Sequence, residues 1–337
     1  MRIKKKKVEM WKRGRLGEKQ LELRRFTRKM YPQKKIEATR HLETERENFP
    51  HIMCDLIDMI DIKNNQTMGR PSHYIKDVIK CLLTKTYNNL SYRRSKADIE
   101  LLYSRRIINS IPSRSVLNRC MMDVELKKIL QDLITLSSKL FIDEEDTLLV
   151  DSTWLSKKKG LGNYENNKES FNPFEKTRKL HVACLKNSKV IVHAITTNGN
   201  ANDSPYFEPL LKNVVDNGFN IKSMLADAGY SSHLNYALCD SYHIEEVYID
   251  FKKNATTRNS KGRLWKQKLL MYKNNFDTWH EQYRYRVLIE GVFSSIKRKQ
   301  INYIRNRKEI SQDIELLLKV LCHNICIINK ELYGHFE

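Results

Sequence analysis

Apolar residues first fall into a regular rhythm from Pro71 onward. Tyr74, Val78, Ile79, Leu82, Leu83 and Tyr87 recur at helical spacing, and residues 99–107 and 124–141 repeat the pattern. Asn88-Asn89 and Ile111-Pro112-Ser113 interrupt it, so residues 71–142 read as an all-α domain of several short helices. Beyond Asp143 the texture changes. Residues 147–151, 181–185, 190–197, 224–227 and 247–251 read as strands, and residues 206–215 and 231–241 as helices between them. A long helix is predicted from about Gln282. Three strands in succession followed by alternating helix and strand predict a mixed α/β sheet.

Residues 1–50 lack a sustained apolar stripe and hold 17 Lys/Arg against 7 Asp/Glu, a net of +10. Residues 1–70 therefore read as a basic arm suited to sequence-independent contact with DNA phosphates, or as a solvated tail. The whole chain of 337 residues carries a formal charge of +21. Such a charge speaks of a polyanionic partner, not of a fold. With 40% hydrophobic residues a real core is affordable, while the 30% charged residues argue against a membrane protein. The opening Met-Arg-Ile-Lys-Lys-Lys-Lys has no apolar stretch after it and does not read as a secretory signal, so an intracellular chain is expected. The seven cysteines are scattered, and Cys322-His323-x2-Cys326 sits in an apolar helical run that favours packing over zinc. The histidines form no nucleophile constellation, and no glycine-rich phosphate loop indicates ATP use.

The chemistry lies with acids of the minority sign. Asp151 and Asp227 each end a short apolar run, the place where open α/β sheets set their sites, although either could simply cap the turn that follows it. Further on stands Tyr283-x2-Arg286-x3-Glu290-x6-Lys297. On one continuous helix these four fall at about 0°, 300°, 340° and 320°, a narrow polar stripe beside an apolar face of Leu288, Ile289, Val292, Phe293 and Ile296. Arg286 and Glu290 could be no more than an i,i+4 surface pair. Alternatively Glu290 is a third oxygen ligand among phosphate-binding residues, and three carboxylates without thiols imply a hard ion such as Mg²⁺ or Mn²⁺.

Together, Asp151, the Asp227-Ala-Gly-Tyr-Ser segment and the Tyr-Arg-Glu-Lys spacing resemble the DDE transposases of prokaryotic insertion sequences, in the group that carries this signature. Weaker echoes are Lys179-Leu180-His181 and Gly199-x3-Asp203-Ser204, and the likeness covers about residues 70–330. It implies a ribonuclease-H-like catalytic domain over residues 143–337, preceded by a helical DNA-binding domain, with a short basic insertion near residues 252–280. Residues 252–273 hold eight Lys/Arg and no acid, which reads as uncompensated charge.

The resemblance also implies two divalent ions held by Asp151, Asp227 and Glu290. Arg286, Lys297 and Arg298 are expected on DNA phosphates, Tyr283 at the DNA terminus, and Trp154 stacked on a displaced base. The segment Lys157-Lys158-Lys159 could track the backbone or be a solvated loop. The implied partners are double-stranded DNA, as terminal inverted repeats and target, and a second copy of the chain in the synaptic complex, in the cytoplasm at the nucleoid. Two other readings share these features: a transposase-derived DNA-binding protein that no longer cuts, and a metal-dependent endonuclease without strand transfer.

Overall fold

Strand β1 (Thr147–Lys157) organises the architecture, and its sequence shows why. Leu148, Leu149 and Val150 are all fully buried, as in a central strand covered on both faces. From Asp151 onward burial largely alternates, with Thr153 and Leu155 buried but Trp154 and Ser156 exposed. The computed structural model describes residues 35–62, 74–157, 177–252, 255–256 and 262–333. Residues 49–328 form one unit, and a small second unit has residues 35–48 and 329–333 as its described part.

Strand β1 pairs antiparallel with β2 (Thr177–Leu185), which pairs antiparallel with β3 (Ile191–Asn198). On its other side β1 runs parallel to β4 (Ser223–Ala226), and β4 runs parallel to β5 (Glu246–Ile249). The order β3-β2-β1-β4-β5 is that of the ribonuclease-H-like fold. The expected α/β class with a preceding helical region is therefore what the chain adopts. A two-residue strand, β6 (Tyr303–Ile304), pairs with β1 at Ser156 and Lys157. Because β4 stops opposite Val150 and β6 begins opposite Ser156, a notch opens beside β1 between them.

Helices cover the sheet. The first is α1 (Lys35–Asp58), followed by α2 (Ile75–Tyr87), α3 (Lys96–Ser104), α4 (Arg114–Cys120) and α5 (Val124–Ser138). Helix α1 corrects the arm: Phe49, Ile52, Met53, Leu56 and Ile57 are buried, and Phe49 stacks on Tyr87 at 3.9 Å. That stripe occupies only the last turns of a helix whose first half is charged and which contains Pro50, so averaging over the segment hides it. Residues 1–34, on which the phosphate-contact reading chiefly rests, lie outside the described residues. Helix α4 is capped by Ser113, whose hydroxyl accepts a hydrogen bond from the Val116 amide at 3.3 Å.

Helix α6 (Phe207–Asp216) connects β3 to β4 and buries Phe207, Leu210, Leu211 and Val214, one face at helical spacing. Helix α7 (His233–Ser241) connects β4 to β5. The basic insertion largely resolves into two helices, α8 (Arg263–Asn274) and α9 (Phe276–Tyr283). Trp265 and Trp279 pack there with Phe251, Tyr272 and Phe276. Its charges are partly compensated after all: Arg263 pairs with Asp240 at 2.6 Å, and Lys268 with Glu246 at 3.3 Å. The acids come from α7 and β5, segments distant in sequence. Helix α10 (Leu288–Lys299) follows, then the long α11 (Glu309–Tyr333).

Helix α11 is docked by Asn324, whose side chain accepts from the Ile191 amide and donates to the Ile191 carbonyl and the Ser137 hydroxyl. Cys322 is buried in the same helix with its thiol against the Leu83 carbonyl. Among the described residues no helix is long and apolar enough to cross a membrane.

Candidate active site

Register brings the first two acids together. Val150 pairs with Ala226 in the parallel ladder, so Asp151 and Asp227, each the next residue, emerge side by side where β4 stops. Asp151 is not at a strand end as its sequence suggests. Strand β1 runs on for six residues beyond it, paired to β2, with Ser152 opposite His181 and Thr153 opposite Leu180. The strand nevertheless loses its β4 neighbour at that point, which opens one edge of it. Asp227 heads the short 3-10 helix Ala228–Tyr230 without using its side chain as a cap, so the capping explanation does not account for it.

Helix α10 supplies the third acid across the notch. Leu288, Ile289, Val292, Phe293 and Ile296 are buried, leaving Glu290 on the exposed side. Arg286 ties the pieces together: its guanidinium donates to Asp151 Oδ2 at 2.7 Å and to Glu290 Oε1 at 2.9 Å. Lys297, two turns further along, donates to Thr153 Oγ1 at 2.7 Å. These residues, with Asp227, Ser294 and Arg298, line an open cavity of about 500 Å³.

The single long helix predicted over the Tyr-Arg-Glu-Lys stripe is broken. Tyr283 ends α9, and Arg286 lies in a 3-10 turn, Arg284–Val287, before α10 begins. An angular step of 100° per residue does not hold through such a turn. Arg286, Glu290 and Lys297 still converge. Tyr283 is half-buried against Trp279, with ring centroids 4.5 Å apart, and is not among the residues lining the cavity.

Trp154 is set apart as well. The alternation of β1 sends Asp151 and Thr153 to the α10 side, while Ser152 and Trp154 project to the opposite face. There the Trp154 indole donates to the Gly199 carbonyl at 2.8 Å and lies under the Lys179 ammonium. Thr153 is a member of the site that the sequence reading missed. Its signal is the i,i+2 spacing from Asp151, which places both side chains on one face only because β1 continues past Asp151. Of the Lys157-Lys158-Lys159 run, only Lys157 falls within the described residues.

Burial acts on three ionisable groups of the site. Burial pushes the Asp151 carboxyl up to about 6, with Asp227 and Asp203 adding to the rise and Arg286 and the Ser152 amide opposing it. Burial likewise lowers the Lys297 ammonium. Burial also opposes the charge of Arg286, yet Tyr283, Asp151, Asp227 and Glu290 more than offset it and hold the guanidinium above its ordinary range.

A buried carboxylate with a second one beside it needs a cation, and Arg286 supplies one. Among the described residues no group of three His, Cys, Asp or Glu is close enough to hold a metal ion. The donor set of Asp151, Asp227 and Glu290 fits a hard divalent ion in its chemistry, while the guanidinium occupies the bridging position between two of them.

An α/β sheet of this order, with acids from the central strand, its parallel neighbour and a late helix gathered among basic groups, is the arrangement of a ribonuclease-H-like catalytic domain. The sequence profile of the family described as "Transposase DDE domain" matches residues 143–325, and the chain belongs to that family. No curated protein matches the chain. Among solved structures, similarity is found to a piggyBac transposase synaptic complex with hairpin DNA, at 14% identity over 83% of this chain and 71% of that one, with a TM-score of 0.42. A pre-cleavage Mos1 transpososome is similar at 9% identity over 82% of this chain and 84% of that one, with a TM-score of 0.22. The family assignment rests on the sequence match.

Proposed function

We propose that this protein cleaves phosphodiester bonds at the ends of its own mobile element and joins the freed 3′-OH ends to target DNA. The observation that carries the reading is the single cavity lined by Asp151, Asp227 and Glu290 together with Arg286, Lys297 and Arg298. Acids that bind cations and bases that bind phosphate are useful in one place chiefly when a metal and a phosphodiester must meet there.

Asp151, Asp227 and Glu290 are the residues that would hold Mg²⁺ or Mn²⁺, in the two-ion arrangement proposed here. When bound, such ions polarise the scissile phosphate and lower the pKa of an attacking water. The chain's own residues do the rest. Asp151, fixed by its hydrogen bond from the Ser152 amide at 2.8 Å, keeps one carboxylate rigid on the central strand. Arg286 neutralises the acids before DNA arrives and, once they hold metal, is free to turn its guanidinium to a phosphate. Lys297, oriented by Thr153, presents a second positive charge to the same backbone. Arg298, exposed at the cavity rim, extends that charge, and Tyr283 at the turn before Arg286 is proposed at the DNA terminus.

In this proposal water attacks first and the 3′-OH second, both in line, and no covalent bond to the protein forms. Two copies of the chain would hold the two ends, and the source would be a prokaryotic insertion sequence.

The test uses the full-length chain and duplexes carrying the sequences that flank its own gene. In Mg²⁺ or Mn²⁺, nicking at the inverted-repeat boundary and joining to a plasmid target are expected, and both stop with chelator. Nicking without joining would identify an endonuclease. Binding without nicking in either metal would contradict the reading.

A further inference from the structure

Behind the catalytic face of β1, on the side to which Ser152 points, lies a polar cluster centred on the half-buried Asp203, which with Lys179 also borders an open cavity. This residue sits in the segment between β3 and α6, just before the 3-10 helix Ser204–Tyr206. Its Oδ1 accepts from the Ser152 hydroxyl at 2.7 Å and faces Lys179 Nζ at 2.8 Å and His181 Nδ1 at 3.3 Å. Lys179 and His181 come from β2 and are almost wholly buried. His181 is held on its other side by Thr197 at 2.9 Å and touches the buried Tyr230 hydroxyl at 3.3 Å.

The other oxygen of Asp203 lies against the turn that follows Asp227. A Cβ placed on Gly229 would stand 2.9 Å from Asp203 Oδ2 and 3.4 Å from its Cβ, so only glycine lets the carboxylate approach this closely. One side chain therefore touches the residue directly after Asp151 and the residue two beyond Asp227. The neighbouring strands β1 and β4 have already parted at this point, because their ladder ends at Val150 and Ala226. No backbone pairing between them remains to fix how the two acids stand relative to each other.

Resting on the transposase reading, we propose that Asp203 is a positioning residue, its carboxylate fastening Ser152 to the Ala228–Tyr230 turn so that Asp151 and Asp227 are held side by side beyond the end of their ladder. The cluster is an expensive way merely to stabilise a fold. Lys179 is buried, with the Asp203 carboxylate and the Ala201 carbonyl as its polar partners, and a buried ion pair seldom outperforms an apolar substitute. A fixed, always-charged clamp is justified where displacing a reacting group by about 1 Å costs about 100-fold in rate. Although burial works against it, hydrogen bonds from His181, Lys179 and Ser152 hold Asp203 down to about 2, so the clamp stays ionised at any working pH. It also gives Gly229 of the Asp-Ala-Gly-Tyr segment, and Lys179 and His181 of the Lys-Leu-His segment, a shared physical purpose.

The experiment separates positioning from simple charge balance. Asp203→Asn, the double variant Asp203→Asn/Lys179→Met, and Ser152→Ala are made in the full-length chain. Melting temperature, backbone amide exchange, and single-turnover cleavage of duplexes with the gene's flanking ends in Mg²⁺ are measured. Removing both charges is expected to return the double variant to near the wild-type melting temperature. Its amides at residues 228–230 should still exchange at least tenfold faster, and its cleavage should stay about 100-fold below wild type with the KM for DNA within about threefold. Ser152→Ala should show a smaller loss of the same kind.

If the double variant regains wild-type cleavage and exchange together with its melting temperature, Asp203 only balances Lys179 and the proposal falls. Unchanged exchange at residues 228–230 overturns it whatever the protein does to DNA. Faster exchange there, in a series whose wild type cuts no end DNA, would uphold the clamp and overturn the transposase reading.

Discussion

The two faces of β1 make opposite use of the same kinds of residue. On one, Asp151 and Thr153 meet Arg286 and Lys297 across an open cavity, and the Asp151 carboxyl is pushed up to about 6 by its burial. On the other, Ser152 meets Asp203, which Lys179 and His181 hold down to about 2 despite burial. The rear face pairs its charges within itself, although Trp154, Lys179 and Asp203 there also line an open cavity of about 580 Å³. The α10 face has instead paired its acids with an arginine, and an incoming ion or phosphate can take over either half of that pair. Adjacent positions on one strand thus separate the part that holds shape from the part kept ready for a ligand, and strand alternation alone does the separating.

This contrast can be broken at graded cost. Among single substitutions that spare the three acids, the largest effect is expected on the α10 face from Lys297→Met, which removes a cation set by Thr153. A loss of about 100-fold in the single-turnover cleavage rate is the size typical of deleting one preorganised donor, and an unchanged rate would remove Lys297 from the site. Gly229→Ala attacks the rear face by driving a methyl into Asp203, whose side chain its partners hold in place. A loss of about 2 kcal/mol in chemical denaturation is expected from such overpacking.

Asp151→Asn should have the opposite sign. Because the folded chain raises this carboxyl from 3.8 to about 6, its ionisation costs folding free energy above about pH 6 and that cost is relieved as the acid protonates toward pH 4. In metal-free buffer the variant should be more stable than wild type by about 1–2 kcal/mol at pH 8, with the advantage shrinking as the pH falls through 6. Smallest of all is the control, Arg263→Ala. Its pairs with Asp240 and Glu245 are solvent-screened, so no resolvable change in chemical denaturation is expected, and a clear loss would show that this surface pair carries stability.

Much of the candidate site was legible because its members mark element ends and helix faces. Asp151 and Asp227 close apolar runs, and the i,i+4 and i+7 intervals from Arg286 through Glu290 to Lys297 keep them together even though the helix starts later than predicted. What stayed hidden depended on partners far along the chain. The continuation of β1 past Asp151 is made by β2 and β6, and without it Thr153 was missed and Trp154 was assigned to the site instead of the face behind it. The turn that separates Tyr283 from α10 leaves no composition signal, since Arg284–Val287 reads as helix. The apparent surplus of charge in the insertion is reduced by Asp240, Glu245 and Glu246, acids that only folding brings near it. Asp203 and Lys179 were visible as motif fragments, but their meeting is a property of three-dimensional structure.

The central claim is that Asp151, Asp227 and Glu290 act as one metal-binding set for cutting DNA. Its most direct test is single-turnover cleavage of end DNA in Mg²⁺ by Asp151→Asn, Asp227→Asn and Glu290→Gln, with DNA binding measured on the same preparations. The account predicts that each variant binds DNA within a few-fold of wild type and cleaves it at least about 1,000-fold more slowly. Normal cleavage by Glu290→Gln would contradict it.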